Sequence, residues 1–222
     1  MISDRPLPRS FYARPVLSVA RDCIGKHLIH DTAAGRLVGR IVEAEAYRGP
    51  ADRAAHSFGG RRTARTEVMF GPPGYAYVFL VYGLHWNFNL VTTALGQPHA
   101  VLIRALEPLE GLELMAERRA LPARDRALTN GPGKLCQAFG IDRSAYGADL
   151  THGPLFLSEG SSDGLSEGRS GPRRRVLRAP RIGIDYAGEW AARPWRFYDP
   201  ASPYVSRLPT PARAARSTPA RR

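Results

Sequence analysis

The sequence predicts an α+β fold, a single domain with a curved, largely antiparallel sheet flanked by helices. Three observations carry this. Short strand-like apolar runs alternate with turn signals, only a few stretches show helical spacing, and 222 residues at 43% hydrophobic content supply one core without disulfide or metal staples.

Near the N-terminus, Pro15 and then Val16, Val19, Ala20, Cys23 and Ile24, at three- and four-residue spacing, predict a short amphipathic helix ending near Gly25. Residues 37–47 read as a central strand with Leu37, Ile41, Glu43, Glu45 and Tyr47 on one side and Val38, Val42, Ala44 and Ala46 on the other. Residues 48–74 contain Gly49-Pro50, Gly59-Gly60 and Gly71-Pro72-Pro73-Gly74, a connection long enough to be functional or disordered. Residues 75–82 and 85–92 read as two strands joined by Gly83-Leu84, with glycine first as a type II′ turn requires. A strand over 101–106 comes next, then a helix over 108–119 with Leu109, Leu112, Met115 and Ala116 on one stripe, and a helix over 134–139. Two late strands are expected over 181–187 and 195–198. The Ser/Gly/Arg-rich residues 158–180 are expected to form a mobile loop. One domain therefore spans 1–208, and residues 209–222, with four arginines and no acid, are expected to be a disordered basic tail.

The net charge of +12 and a pI near 10.5 point to a polyanionic partner, nucleic acid before membrane. All basic residues except Lys26 and Lys134 are arginine, whose planar fork suits phosphate. Cys23 and Cys136 are far apart and fit a reducing cytosol. The N-terminus lacks the apolar stretch of a signal peptide, and no run is long enough to span a membrane, so a cytoplasmic protein is expected.

Several short motifs carry little. Gly164-Leu165-Ser166-Glu167-Gly168 matches a hydrolase elbow but lies in polar low-complexity sequence rather than between strand and helix. Gly133-Lys134 lacks the rest of a phosphate-binding loop. Cys23, His27 and His30 have metal-ligand spacing, but Gly25 breaks the helix that would align them. Glu43 and Glu45 are sharper, because two carboxylates on the inward face of an apolar strand are costly unless paired or used chemically. Pairing with Arg104 or another arginine is the structural alternative.

The run Ile41-Val42-Glu43-Ala44-Glu45-Ala46-Tyr47-Arg48-Gly49-Pro50, followed by Asp52 and His56-Ser57, resembles the signature of the alkyladenine (3-methyladenine) DNA glycosylase family. Further blocks match in consistent order. They are Met69-Phe70 before Gly71, Tyr77 to His85 with Asn89, Val101 to Gly111, Asn130 to Cys136, and Arg181-Ile182-Gly183-Ile184 with Gly188-Glu189-Trp190. The resemblance covers about residues 10–207, and serial blocks are more specific than any lone motif. The chain departs at Phe79, where many members have tyrosine, and at Leu84, where methionine is usual.

The resemblance implies a monofunctional enzyme of base excision repair, a nucleoid-associated monomer without metal or cofactor. Such an enzyme flips alkylated or deaminated purines, 3-methyladenine, 7-methylguanine and hypoxanthine among them, out of double-stranded DNA and hydrolyses the N-glycosidic bond. It makes Glu45 the general base, and Tyr47, His56 and Phe79 the base-pocket walls, with Asn89 and Arg104 at the pocket. Tyr82 becomes the side chain inserted into the DNA stack. Arg61, Arg62, Arg65 and Lys134 are candidates for phosphate contact. Two other readings compete: a non-enzymatic nucleic-acid-binding module, and a carbohydrate hydrolase using Glu43 and Glu45 as its acid–base pair. The first has no need of Glu45 behind Tyr47, and the second has no need of so basic a surface.

Overall fold

The structure, a computed structural model, describes residues 5–159 and 175–208. Two short helices, α1 (Arg9–Tyr12) and α2 (Val16–Asp22), precede β1 (His27–Thr32) and the long β2 (Gly35–Tyr47). Short 3-10 turns occupy the next stretch. Then come β3 (Ala76–Val81), β4 (His85–Thr92), β5 (His99–Glu110), α3 (Leu112–Arg119), α4 (Pro132–Phe139), β6 (Leu155–Ser158), β7 (Leu177–Ala179) and β8 (Arg196–Tyr198). All described strand pairings are antiparallel and form one curled sheet in the order β3-β4-β5-β2-β1-β6, with β8 also paired to β2 and β7 to β8.

The position of β2 explains why nine of its 13 residues are buried. Strand β5 covers one edge along its length, while β1 covers the other edge over residues 35–40 and β8 over 43–45. Side chains alternate faces along a strand. Ala76, Val78, Phe88, Leu90, Val101 and Ile103 point into the main core with α2 and α4, leaving Tyr77, Phe79, Asn89, Ala100, Leu102 and Arg104 for the other face.

Strand β2 does not keep one alternation. Leu37 and Ile41 face the main core, but so do Ala44 and Ala46, because Val42 is an extra residue where the register jumps from Ile41↔Leu106 to Glu43↔Ala105. This bulge corrects the single face expected for residues 37–47: Glu43, Glu45 and Tyr47 stand opposite Leu37 and Ile41. A bulge inserts one residue, reverses the facing of every side chain beyond it in the strand, and recurs beside active sites.

Other boundaries also differ. The hairpin turn is Tyr82-Gly83, not Gly83-Leu84. Tyr82 (φ 51°) and Gly83 (φ 71°) are both left-handed and the Leu84 N–H donates to the Val81 carbonyl at 3.0 Å, as in a type I′ turn. Strand β5 runs through Pro108 and Leu109 until Gly111, at φ 78°, turns the chain into α3. Residues 181–187 are not a strand. The Ile182 N–H donates to the Glu45 carboxylate instead of a neighbouring strand, and a 3-10 segment, Asp185–Trp190, follows. Strands β1 and β6 are additions to the expected set. Strand β7 lies inside the stretch expected to be a loop, while residues 160–174 and the tail 209–222 fall outside the described residues.

At Gly39 an added Cβ would lie 2.9 Å from Phe139 and 3.1 Å from Leu106. Gly39→Ala is therefore expected to destabilise the fold by about 1–3 kcal/mol through overpacking. Denaturant melting measures it.

Candidate active site

The face of the sheet opposite the main core carries a cleft of about 470 Å³. Strand β2 supplies Tyr47, β3 supplies Tyr77 and Phe79, β4 supplies Asn89, and β5 supplies Leu102 and Arg104. The 48–74 connection adds His56, Arg65 and Met69, and the 182–186 stretch closes the far side with Ile182 and Tyr186. The bulge at Val42 therefore decides which residues meet the cleft.

Glu45 is fully buried beneath it. Its Oε2 accepts from the Tyr47 hydroxyl at 2.9 Å and lies 3.3 Å from Arg104 NH1, while its Oε1 accepts from the Ile182 N–H at 2.8 Å. Burial and the adjacent Glu45 raise the Tyr47 phenol well above its ordinary value, so it stays a donor. Burial opposes charge on Arg104, but Glu45 and Glu43 outweigh it and hold that guanidinium protonated.

Glu43 faces the same way, shares Arg104 and has further partners of its own. Its Oε1 accepts from Arg104 Nε at 3.2 Å and Arg196 NH1 at 2.9 Å, and its Oε2 from the Ser206 N–H at 2.7 Å. It ties β2 to β5, β8 and the segment after β8. Arg104 thus bridges both carboxylates.

The aromatic wall is a packed cluster. The His56 ring stands edge-on to Phe79 at 4.5 Å between centroids, Tyr77 lies 5.1 Å from Phe79, and His56 Nδ1 is 2.8 Å from the Tyr77 hydroxyl. Arg65 lies over Phe79 at 5.6 Å. Asn89 is held by its own Nδ2, which donates to the Tyr77 carbonyl at 3.0 Å. Burial first, then Arg65 and Arg61, push the His56 pKa down to about 4. Unfolded imidazole protonates near pH 6.5, so this contributes stability that is full above about pH 6.5 and declines as pH falls toward about 4. In an NMR titration the His56 ring is expected to remain neutral down to about pH 5.

Tyr82 stands at the hairpin tip on the cleft's rim, 92% exposed, with Leu84 beside it at 74%. Of the basic candidates, Arg65 lines the cleft and Arg61 lines an adjoining cavity with Arg53. Arg62 is exposed and paired with Glu67 at 2.6 Å. Lys134 lies apart, on the first turn of α4, donating to Asn130 at 2.8 Å; its neighbour Gly133 packs against His85 below the hairpin. The cleft thus gathers Tyr47, His56, Phe79, Asn89, Arg104, Tyr82 and Arg65 above Glu45, and leaves Arg61, Arg62 and Lys134 at its surroundings.

Sequence reasoning gives no role to Tyr77, Ile182 or Arg181. Tyr77 is detectable as the same-face neighbour of Phe79. The amide of Ile182 and the ion pair of Arg181 with Asp52, 129 residues away, leave no local signal.

A slot walled by aromatic rings, opening on an arginine-rich surface and floored by a buried carboxylate, suits an enzyme that acts on a nucleobase of a polyanion. Comparison with known proteins agrees with that class. Residues 10–203 match the family model for methylpurine-DNA glycosylase (MPG). Proteins provisionally named 3-methyladenine DNA glycosylase are similar over nearly their whole length. The one from Desulfitobacterium hafniense (strain Y51) is 50% identical over 207 residues, covering 90% of this chain and 98% of its own. The one from Methanocella arvoryzae is 50% identical over 202 residues (90% and 96%), and that from Bacillus mycoides 47% over 206 (90% and 98%). The chain belongs to the methylpurine-DNA glycosylase family, as the sequence blocks implied, and is a DNA N-glycosylase of DNA repair. Among the described residues no helix is long and apolar enough to cross a membrane.

Proposed function

We propose that this protein, acting as a monomer on chromosomal DNA in the cytoplasm, flips a damaged purine into the cleft and hydrolyses its N-glycosidic bond, leaving an abasic site. Tyr82 fills the gap left in the duplex, while Tyr47, His56 and Phe79 enclose the flipped base. Glu45 takes a proton from water as the water oxygen bonds to the sugar C1′ and the bond to the base breaks, its electron pair leaving with the base. The carboxylate also favours the positive charge developing on the sugar. An ionised carboxylate offers about four acceptor positions; hydrogen bonds from Tyr47 and Ile182 take two, with Arg104 beside it as an ion pair at 3.3 Å, which leaves acceptor capacity for that water.

The observation that carries this reading is the fully buried Glu45 carboxylate directly beneath the Tyr47 wall of an aromatic cleft. The lesions proposed are 3-methyladenine, 7-methylguanine and hypoxanthine. The alkylated bases are cations that stack on aromatic faces and leave as neutral molecules, whereas hypoxanthine is neutral and needs a proton or hydrogen bond as it departs. Arg65 in the cleft, Arg61 and Arg62 beside it, and Lys134 farther off on α4 are the proposed phosphate contacts.

Duplex oligonucleotides bearing one defined lesion each, incubated with the protein and then cut at abasic sites with alkali, test the reading. Strand scission at the lesion alone is expected, and intact strands for every lesion would refute it.

A further inference from the structure

The Arg181 side chain is fully buried, as is that of its partner Asp52. Its NH1 donates to Asp52 Oδ2 at 2.5 Å and to the Ala46 carbonyl at 2.9 Å, and its NH2 to Asp52 Oδ1 at 2.9 Å and to the Trp190 carbonyl at 3.3 Å. The guanidinium carbon lies 4.7 Å from the centre of the Tyr47 ring and 5.1 Å from a ring of Trp195. Replacing a buried ion pair by apolar side chains of similar volume is often neutral or stabilising. Stability alone therefore gives no reason for this one.

Its partners do. Asp52, itself held by the N–H groups of Arg48 at 3.1 Å and Ala54 at 3.0 Å, anchors the segment that carries His56. Ala46 lies between Glu45 and Tyr47. Trp190 ends the 3-10 segment that presents Tyr186, and Ile182, the next residue in the chain after Arg181, gives its N–H to Glu45 at 2.8 Å. One guanidinium joins three walls of the cleft.

We infer that Arg181 is a positioning residue for base excision, an inference that rests on the function proposed above. Its planar fork fixes the Ile182 amide on Glu45 and holds the Tyr47 ring as a stacking platform, touching neither the base nor the water. Geometry matters here beyond charge. A lysine ammonium can neutralise Asp52, but it cannot bind that carboxylate bidentately, reach both carbonyls and lie flat on a ring at once.

The test compares full-length wild-type, Arg181→Lys, Asp52→Asn and Glu45→Gln proteins on duplexes bearing hypoxanthine or 7-methylguanine. Melting is measured beside single-turnover excision at a temperature where each variant is folded. Arg181→Lys is expected to stay folded, with its maximal rate down at least about tenfold and the enzyme concentration at half-maximal rate changed less than about threefold, an interaction lost mainly in the transition state. Asp52→Asn should reproduce that split, and a protein carrying both Arg181→Lys and Asp52→Asn, assayed alongside, should lose no more than the worse single variant.

Wild-type rates in Arg181→Lys, rate losses that merely track the folded fraction, or failure of both variants to fold would overturn the assignment and leave Arg181 a structural residue. If wild-type protein acts, Glu45→Gln does not, and Arg181→Lys keeps full rate, only this inference falls. If wild-type protein releases no base, the functional reading falls first and takes this one with it.

Discussion

Glu45→Gln protein is expected to bind lesion-bearing duplexes within a few-fold of wild type and to release bases about 10²–10⁴-fold more slowly, the usual worth of a positioned general base. The amide matches the carboxylate in shape, so its oxygen can still accept from Ile182 and the cleft keeps its walls. What vanishes is the capacity to take a proton and the negative charge that favours an electron-deficient sugar. Both act in the transition state, so the loss belongs in the rate rather than in affinity. Near wild-type excision would transfer the role to another group or defeat the glycosylase mechanism. Glu43 is poorly placed to inherit it, since Arg104, Arg196 and Ser206 already engage its two oxygens.

Tyr82→Ala is expected to lower excision from duplexes by about 1–3 kcal/mol, five- to 150-fold, the range for base–aromatic stacking, while melting changes little. At 92% exposure the ring packs on nothing that its removal would hollow out. Its φ of 51° is also a conformation that costs any residue with a Cβ, so alanine carries the same backbone strain as tyrosine and adds none. Tyr82→Phe should be nearly neutral, because the face of the ring does the work, and the defect should shrink for a lesion opposite a poor pairing partner. A large drop in melting temperature with a proportionate loss of rate would make Tyr82 an ordinary packing residue.

Much of this architecture is legible in the residues, and the exceptions have physical causes. Alternation marks β3 and β4, and the residue blocks mark Glu45, Tyr47 and His56. The Val42 bulge leaves no trace in composition, since an extra valine in an apolar strand reads as more strand. The hairpin tip escapes local reasoning because a turn with tyrosine first and glycine second is unfavourable in isolation, and only the left-handed Tyr82 reveals it. Ile182 and Ile184 alternate as strand residues do, yet Gly183 at φ 75° and the hydrogen bond to Glu45 take that segment out of the sheet. Glu43 meets Arg196 across 153 residues, a pairing no local pattern can announce.

The Val42 bulge also bears on how such a protein can change over generations. Before it, odd-numbered positions of β2 answer to the core; after it, they turn to the opposite face, where Glu45 and Tyr47 meet the cleft. Within a single strand, substitutions at 45 or 47 can reshape the cleft while Ala44 and Ala46 keep the interior filled, and Leu37 or Ile41 can be repacked without disturbing the cleft. Cleft and core are thereby open to separate selection on neighbouring residues of one continuous backbone.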